Sequence, residues 1–149
     1  MIYTKVRSVK SPSKGTDGSA GYDFFIPYDL PNLLTTISLA PGESINIPSG
    51  IKVVIPPTYA GIFFNKSSIG AKGLLVGACV VDSDYRGEVH LNVHNVSNKP
   101  VELSPGQKLV QMLVLPYHSA PMVELDNEYY DQTYSNTTRG SGGFGSTGA

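Results

Sequence analysis

Residues 89–94 read Val89-His90-Leu91-Asn92-Val93-His94, an alternation of apolar and polar side chains with a period of two. Successive side chains of an extended strand point to opposite faces, so the pattern describes a strand with one buried face and one wet face. Working outward, Ser44 to Ile55 (S-I-N-I-P-S-G-I-K-V-V-I) reads as two strands around a Pro-Ser-Gly turn. Further strands are expected at Ile2 to Val6, Gly61 to Asn65, Val101 to Leu103 and Lys108 to Leu115, with turns at Pro56-Pro57 and Pro105-Gly106. Sixteen Gly and 11 Pro punctuate the apolar stretches. They leave room for a short helix only at Ala71 to Val76 and Met122 to Leu125, so the expected class is all-β.

The 149 residues suit one domain, which buries roughly 70% of its unfolded surface on folding. Lys and Arg number 11 against 12 Asp and Glu, for a net charge of -1. No basic surplus exists to hold a long polyanion, which argues against nucleic-acid binding. Cys79 is the only cysteine and the start Met-Ile-Tyr-Thr-Lys lacks a signal-like apolar stretch, so a reducing, cytoplasmic home is expected. No apolar run nears the roughly 20 residues that cross a bilayer. The longest, Leu109 to Leu115, is interrupted by Gln111. Residues 1–128 form the expected domain. From Tyr129 to Ala149 the sequence turns polar and Gly-rich, the composition of a tether, a tag remnant or a lid.

Walker-type, C-x-x-C and H-E-x-x-H motifs are missing from the sequence. Gly140, Gly142 and Gly145 match G-x-G-x-x-G, but the four residues that follow cannot build the helix whose N-terminus would receive a pyrophosphate. His90 and His94 have the spacing of a helical metal pair, yet on a strand they stand about 13 Å apart. They read as solvated face residues. Cys79 reads as a small buried thiol or, alternatively, a nucleophile served by a distant His.

Five other segments place polar or charged groups beside Gly, where backbone approaches a ligand closely. They are Ala20-Gly21-Tyr22-Asp23, Lys66-Ser67-Ser68-Ile69-Gly70, Val80-Val81-Asp82-Ser83-Asp84-Tyr85-Arg86-Gly87, Gly106-Gln107-Lys108-Leu109-Val110-Gln111 and Arg139-Gly140-Ser141-Gly142-Gly143-Phe144-Gly145-Ser146-Thr147-Gly148. In this order they resemble the five motifs of the dUTPase family, and they span nearly the whole chain. The second motif departs from the usual Arg-Ser-Gly opening, Cys79 stands where Gly is common, and Gln107-Lys108 replace the usual Asp-Arg.

The resemblance implies a dUTPase-like β-clip, a jelly-roll-like β-barrel, assembled as a homotrimer with active sites between subunits and a flexible C-terminal arm. It implies Mg²⁺-assisted hydrolysis of dUTP to dUMP and pyrophosphate, which keeps uracil out of DNA and supplies dUMP for thymidylate synthesis. By the same resemblance, Asp82 activates the attacking water; an Asp at a β-turn taken by itself is more often a capping residue, and the whole motif reverses that. Asp23 acts near Mg²⁺ through coordinated water. Lys66, Ser67, Ser68 and Gln111 hold phosphates, and Gly77, Ala78, Val80 and Val81 read uracil with main-chain groups. Tyr85 packs on deoxyribose. Arg139, Phe144, Gly145 and Ser146 belong to the arm, supplying a planar cation, a stacking ring and hydrogen-bond donors. Related dCTP deaminases share the barrel, but the Gly-rich ending favours the dUTPase reading.

Overall fold

The computed structural model describes residues 1–30 and 36–143. The chain divides into two compact units, residues 1–118 and 119–149. In the first, eleven strands are found among the described residues: β1 (Ile2–Lys5), β2 (Tyr22–Phe25), β3 (Ile37–Leu39), β4 (Ser44–Pro48), β5 (Ile51–Val54), β6 (Tyr59–Asn65), β7 (Leu74–Val76), β8 (Val80–Val81), β9 (His90–Asn95), β10 (Val101–Leu103) and β11 (Lys108–Pro116). One helical turn, α1 (Ser67–Gly70), lies between β6 and β7. Every strand pairing is antiparallel, in sheets ordered β2-β11-β6-β8 and β4-β9-β7 and in the pairs β1-β5 and β10-β3. The architecture is the expected all-β, jelly-roll-like barrel.

The alternation at residues 89–94 behaves as its pattern dictates. Val89, Leu91 and Val93 are buried, while His90 and His94 are exposed. The Ser44 to Ile55 stretch does form two strands around a turn, but they do not pair with each other. β4 joins β9 and β5 joins β1. Gly50 makes the break possible: its φ is +75°, and a Cβ there would press on Val9 Cγ1 at 2.9 Å. Its N–H donates to the Glu88 carboxylate at 2.7 Å, which also receives Arg7 at 2.8 Å. The core gathers Phe24, Ile26, Ile47, Ile51, Leu91, Leu103, Leu109 and Met112, all almost fully buried. Phe24 and Phe63 meet edge to face with centroids 5.0 Å apart.

The helix expectations need correction. Leu74 to Val76 is a strand because it completes the edge of the β4-β9-β7 sheet, and residues 122–125 have no regular structure. In the second unit the helix α2 is Asn127–Tyr134, started by Asp126, whose Oδ1 accepts from the Glu128 and Tyr129 N–H groups. That cap outweighs a polar composition with no buried residue. Among the described residues no helix is long and apolar enough to cross a membrane.

Phe24→Ala should cost about 3–5 kcal/mol, because it leaves a cavity against Phe63 that a β-sheet cannot close. Urea unfolding should show the loss as a lowered midpoint with unchanged slope.

Candidate active site

The first cluster forms where β2, β11 and the end of β6 meet. Asp23 is buried, 4% exposed, directly opposite Gln111. One carboxylate oxygen receives Lys66 Nζ and the other receives Lys108 Nζ at 2.8 Å. Lys108 reaches this face because the β11–β2 register shifts between Lys108 and Val110, a bulge at Leu109. Without it, strand alternation would put Lys108 and Gln111 on opposite faces. Gln111 Nε2 donates to the Asn65 carbonyl at 3.0 Å. The Asn65 side chain in turn bonds the Leu74 carbonyl and the Val76 N–H, locking the end of β6 to β7. Lys66 is extended and its carbonyl accepts the Ile69 and Gly70 N–H groups, so α1 turns immediately after it. Buried Ile69 anchors that turn. Its leading N–H groups and the hydroxyls of Ser67 and Ser68 have no partner within the turn.

Burial pushes the Asp23 carboxyl up, but hydrogen bonds and charge from Lys108 and Lys66 outweigh it, leaving Asp23 below the ordinary carboxylate range. Two lysines against one carboxylate leave a net positive charge facing outward, suited to phosphate. Sequence reasoning singled out Asp23, Lys66 and Gln111 but missed Lys108 and Asn65 as members of the cluster. No pattern in the sequence marks a bulge.

The second cluster surrounds a cavity of about 200 Å³ lined by Phe63, Ala78, Val80, Val81, Asp82, Tyr85, Val89 and His90. β8 fixes its wall by pairing Val80 with Ile62 and Val81 with Gly61. Cys79 is half-buried, and its carbonyl accepts the Phe63 N–H at 2.8 Å, so the residue serves the hairpin with its main chain. Asp82 heads a turn closed by the Tyr85 N–H on its carbonyl at 3.2 Å. The Tyr85 hydroxyl donates to the Glu88 carbonyl at 2.8 Å, and Arg86 Nη1 bonds the carbonyls of Ser83 and Tyr85. A Cβ at Gly77 would meet Asn92 Oδ1 and His94 Nε2, the far ends of two side chains that would have to swing aside to admit it.

The two clusters are not one pocket within a chain. Val81 is opposite Gly61, and five more residues of extended β6 separate Gly61 from Lys66, about 16 Å. Asp82 continues in the opposite direction. In the second unit, Arg139 is exposed and its Nε donates to the Gly142 carbonyl at 2.9 Å. Phe144, Gly145 and Ser146 lie outside the described residues.

A barrel carrying lysines, an amide and hydroxyls at one end of a strand, and a carboxylate beside a nucleoside-sized cavity further along it, belongs with the nucleotide-hydrolysing enzymes. A family model described as dUTPase matches residues 7–148, and the chain belongs to the dUTPase family. The deoxyuridine 5'-triphosphate nucleotidohydrolase of Polynucleobacter asymbioticus is 33% identical over 141 residues, which cover 92% of this chain and 87% of that protein. The solved structure of a mutant dUTPase of Staphylococcus bacteriophage 80alpha with dUpNHpp is similar at a TM-score of 0.80 and 20% identity, covering 99% of this chain and 98% of that one. A mutant dUTPase from phage phi11 of S. aureus, described with a structural Mg(II) ion, is similar at a TM-score of 0.72 and 19% identity, covering 85% and 96%.

Among the described residues no group of three or more His, Cys, Asp or Glu gathers to hold a metal. Asp23 has both oxygens engaged by lysines, though each keeps a further lone pair. The residues therefore fit a magnesium ion that is carried on phosphates and keeps its waters, not one caged by the protein.

Asp23→Asn should lower stability at pH 7 by about 1–3 kcal/mol, since it leaves two half-exposed lysines facing a neutral amide. The folded carboxyl titrates below the ordinary value of 3.8, so its stabilisation is present above that pH and is lost as the pH falls beneath it. Urea midpoints of the two proteins should differ at pH 7 and converge in acid.

Proposed function

We propose that this chain hydrolyses dUTP to dUMP and pyrophosphate in sites assembled between the subunits of a homotrimer. The single observation that carries the reading is Asp82, the carboxylate that lines the nucleoside-sized cavity beside Tyr85, in a chain of the dUTPase family.

Asp82 orients a water and takes its proton as the water attacks the α-phosphate. The bond from the α-phosphorus to the bridging oxygen breaks, and pyrophosphate leaves with that oxygen. Lys66 Nζ, the Ser67 and Ser68 hydroxyls and N–H groups, and the Gln111 amide hold the phosphate oxygens. Lys66 replaces a planar guanidinium with a compact point charge, so it binds phosphate without a bidentate fork. Asp23 would hold a bound Mg²⁺ through water, and the ion would supply positive charge that spreads the charge of the phosphate oxygens. The main chain of Gly77, Ala78, Val80 and Val81 reads the uracil edge, and the Tyr85 ring packs on deoxyribose where a 2′-hydroxyl would sit. Residues 129–149 act as an arm over the site, with Arg139 on the terminal phosphate, Phe144 on the base, and Gly145 and Ser146 as donors. The distance between the two clusters along β6 supports the trimer, since phosphates held by one chain meet Asp82 only if another chain supplies it.

Asp82→Asn should keep fold and assembly while lowering kcat for dUTP by about 10²- to 10⁴-fold; a loss below about tenfold, measured by chromatography of dUMP, would remove Asp82 as the base. Mixing the Asp82→Asn protein with a Lys66→Ala protein, after denaturation and joint refolding, should restore part of the activity that neither has alone. Mixed trimers contain sites that draw an intact Asp82 and an intact Lys66 from different chains. Sedimentation equilibrium of the wild type should report three chains.

A further inference from the structure

The polar face of β9 is the feature that the catalytic reading leaves unused. His90, Asn92 and His94 project from the same side of the strand, since the residues between them are buried. His90 stands in the cavity with Asp82 and Tyr85. Two residues along, the Gly77 N–H donates to the Asn92 carbonyl at 3.0 Å, and the tips of Asn92 and His94 lie against Gly77, in the space a Cβ would take. The row thus runs from the Asp82 cavity to the start of the hairpin that faces the base.

A solvated sheet face accounts for exposed imidazoles but not for this placement. The cavity wall is otherwise apolar, formed by Phe63, Ala78, Val80, Val81 and Val89. Of its polar members, Asp82 is a carboxylate acceptor, and the Tyr85 hydroxyl is engaged with the Glu88 carbonyl. Imidazole is the remaining side chain there that both donates and accepts as a neutral group. Among the described residues, the side chains of His90, Asn92 and His94 have no hydrogen-bond partner of their own. Of the three, His90 lines the cavity, so its bonding capacity faces a space of nucleoside size.

Resting on the proposed hydrolysis of dUTP, we propose that the β9 row is a further recognition element for the nucleoside. His90 hydrogen-bonds the nucleoside moiety beside Asp82, and the Asn92 side chain is a positioning residue that packs against Gly77, whose N–H is already held by the Asn92 main-chain carbonyl. His94 packs alongside Asn92 on the same glycine. Both roles act on binding and selectivity, not on the proton taken by Asp82.

The test uses the full-length protein with His90→Ala, His90→Gln and Asn92→Ala. Both sites are on the solvent-facing side of β9, so circular dichroism and sedimentation should match the wild type. His90→Ala should raise KM for dUTP and Kd for dUMP together by about tenfold, the scale of one lost hydrogen bond to a ligand, with kcat within about threefold. His90→Gln, which keeps a donor and an acceptor, should recover most of that loss. Pyrophosphate, which lacks a nucleoside, should bind all variants alike in calorimetry. Asn92→Ala should lower the preference for dUTP over dCTP by about fivefold, a readout that general loosening of the sheet would not move. Unchanged dUMP affinity in His90→Ala overturns the role of His90, and unchanged base preference in Asn92→Ala overturns that of Asn92. A wild type that binds dUMP but does not hydrolyse dUTP would instead overturn the proposed function.

Discussion

β11 is paired along both edges, with β2 on one side and β6 on the other, and most of the Asp23 cluster follows from that constraint. A strand held on two sides cannot slip, because a shift of one residue would send Leu109, Val110 and Met112 out of the core. The bulge at Leu109 is the one irregularity in it. It brings Lys108 round to the side of Gln111, where the buried carboxylate of Asp23 meets two cations instead of one. A carboxylate so buried would be costly if unpaired. The lysines that neutralise it are also the positive charge offered outward, so the stability of this corner and its positive face have a common origin.

Asn65 carries that order to the second cluster. Its carbonyl holds Gln111 and its carboxamide holds both ends of β7, so the end of β6, the start of the β7–β8 hairpin and the central strand are fixed by one residue. Glu88 has the corresponding role around the cavity. Its carboxylate pins Gly50 and Arg7, and its carbonyl receives the Tyr85 hydroxyl. Neither residue needs to touch a nucleotide to matter for one.

The sequence by itself determined the all-β class, most strand positions and the family, because hydrophobic period, Gly and Pro punctuation and contiguous motifs are local signals. Ser44 to Ile55 and Val89 to His94 needed no other information. It also singled out Asp23, Lys66, Gln111, Asp82 and Tyr85, since each sits inside a motif that can be read along the chain. Only the tertiary structure decided that β4 and β5 part into different sheets, that Leu74 to Val76 is a strand, and that a bulge turns Lys108 toward Asp23. Partner choice depends on which edges remain free after the chain has folded back, and two residues 85 positions apart, such as Asp23 and Lys108, show no mutual signal in sequence. The same reason explains His90: its alternation gave a correct exposed face, but whether that face meets solvent or a cavity is set by β8 and the Asp82 turn, which are brought there by pairing with β6.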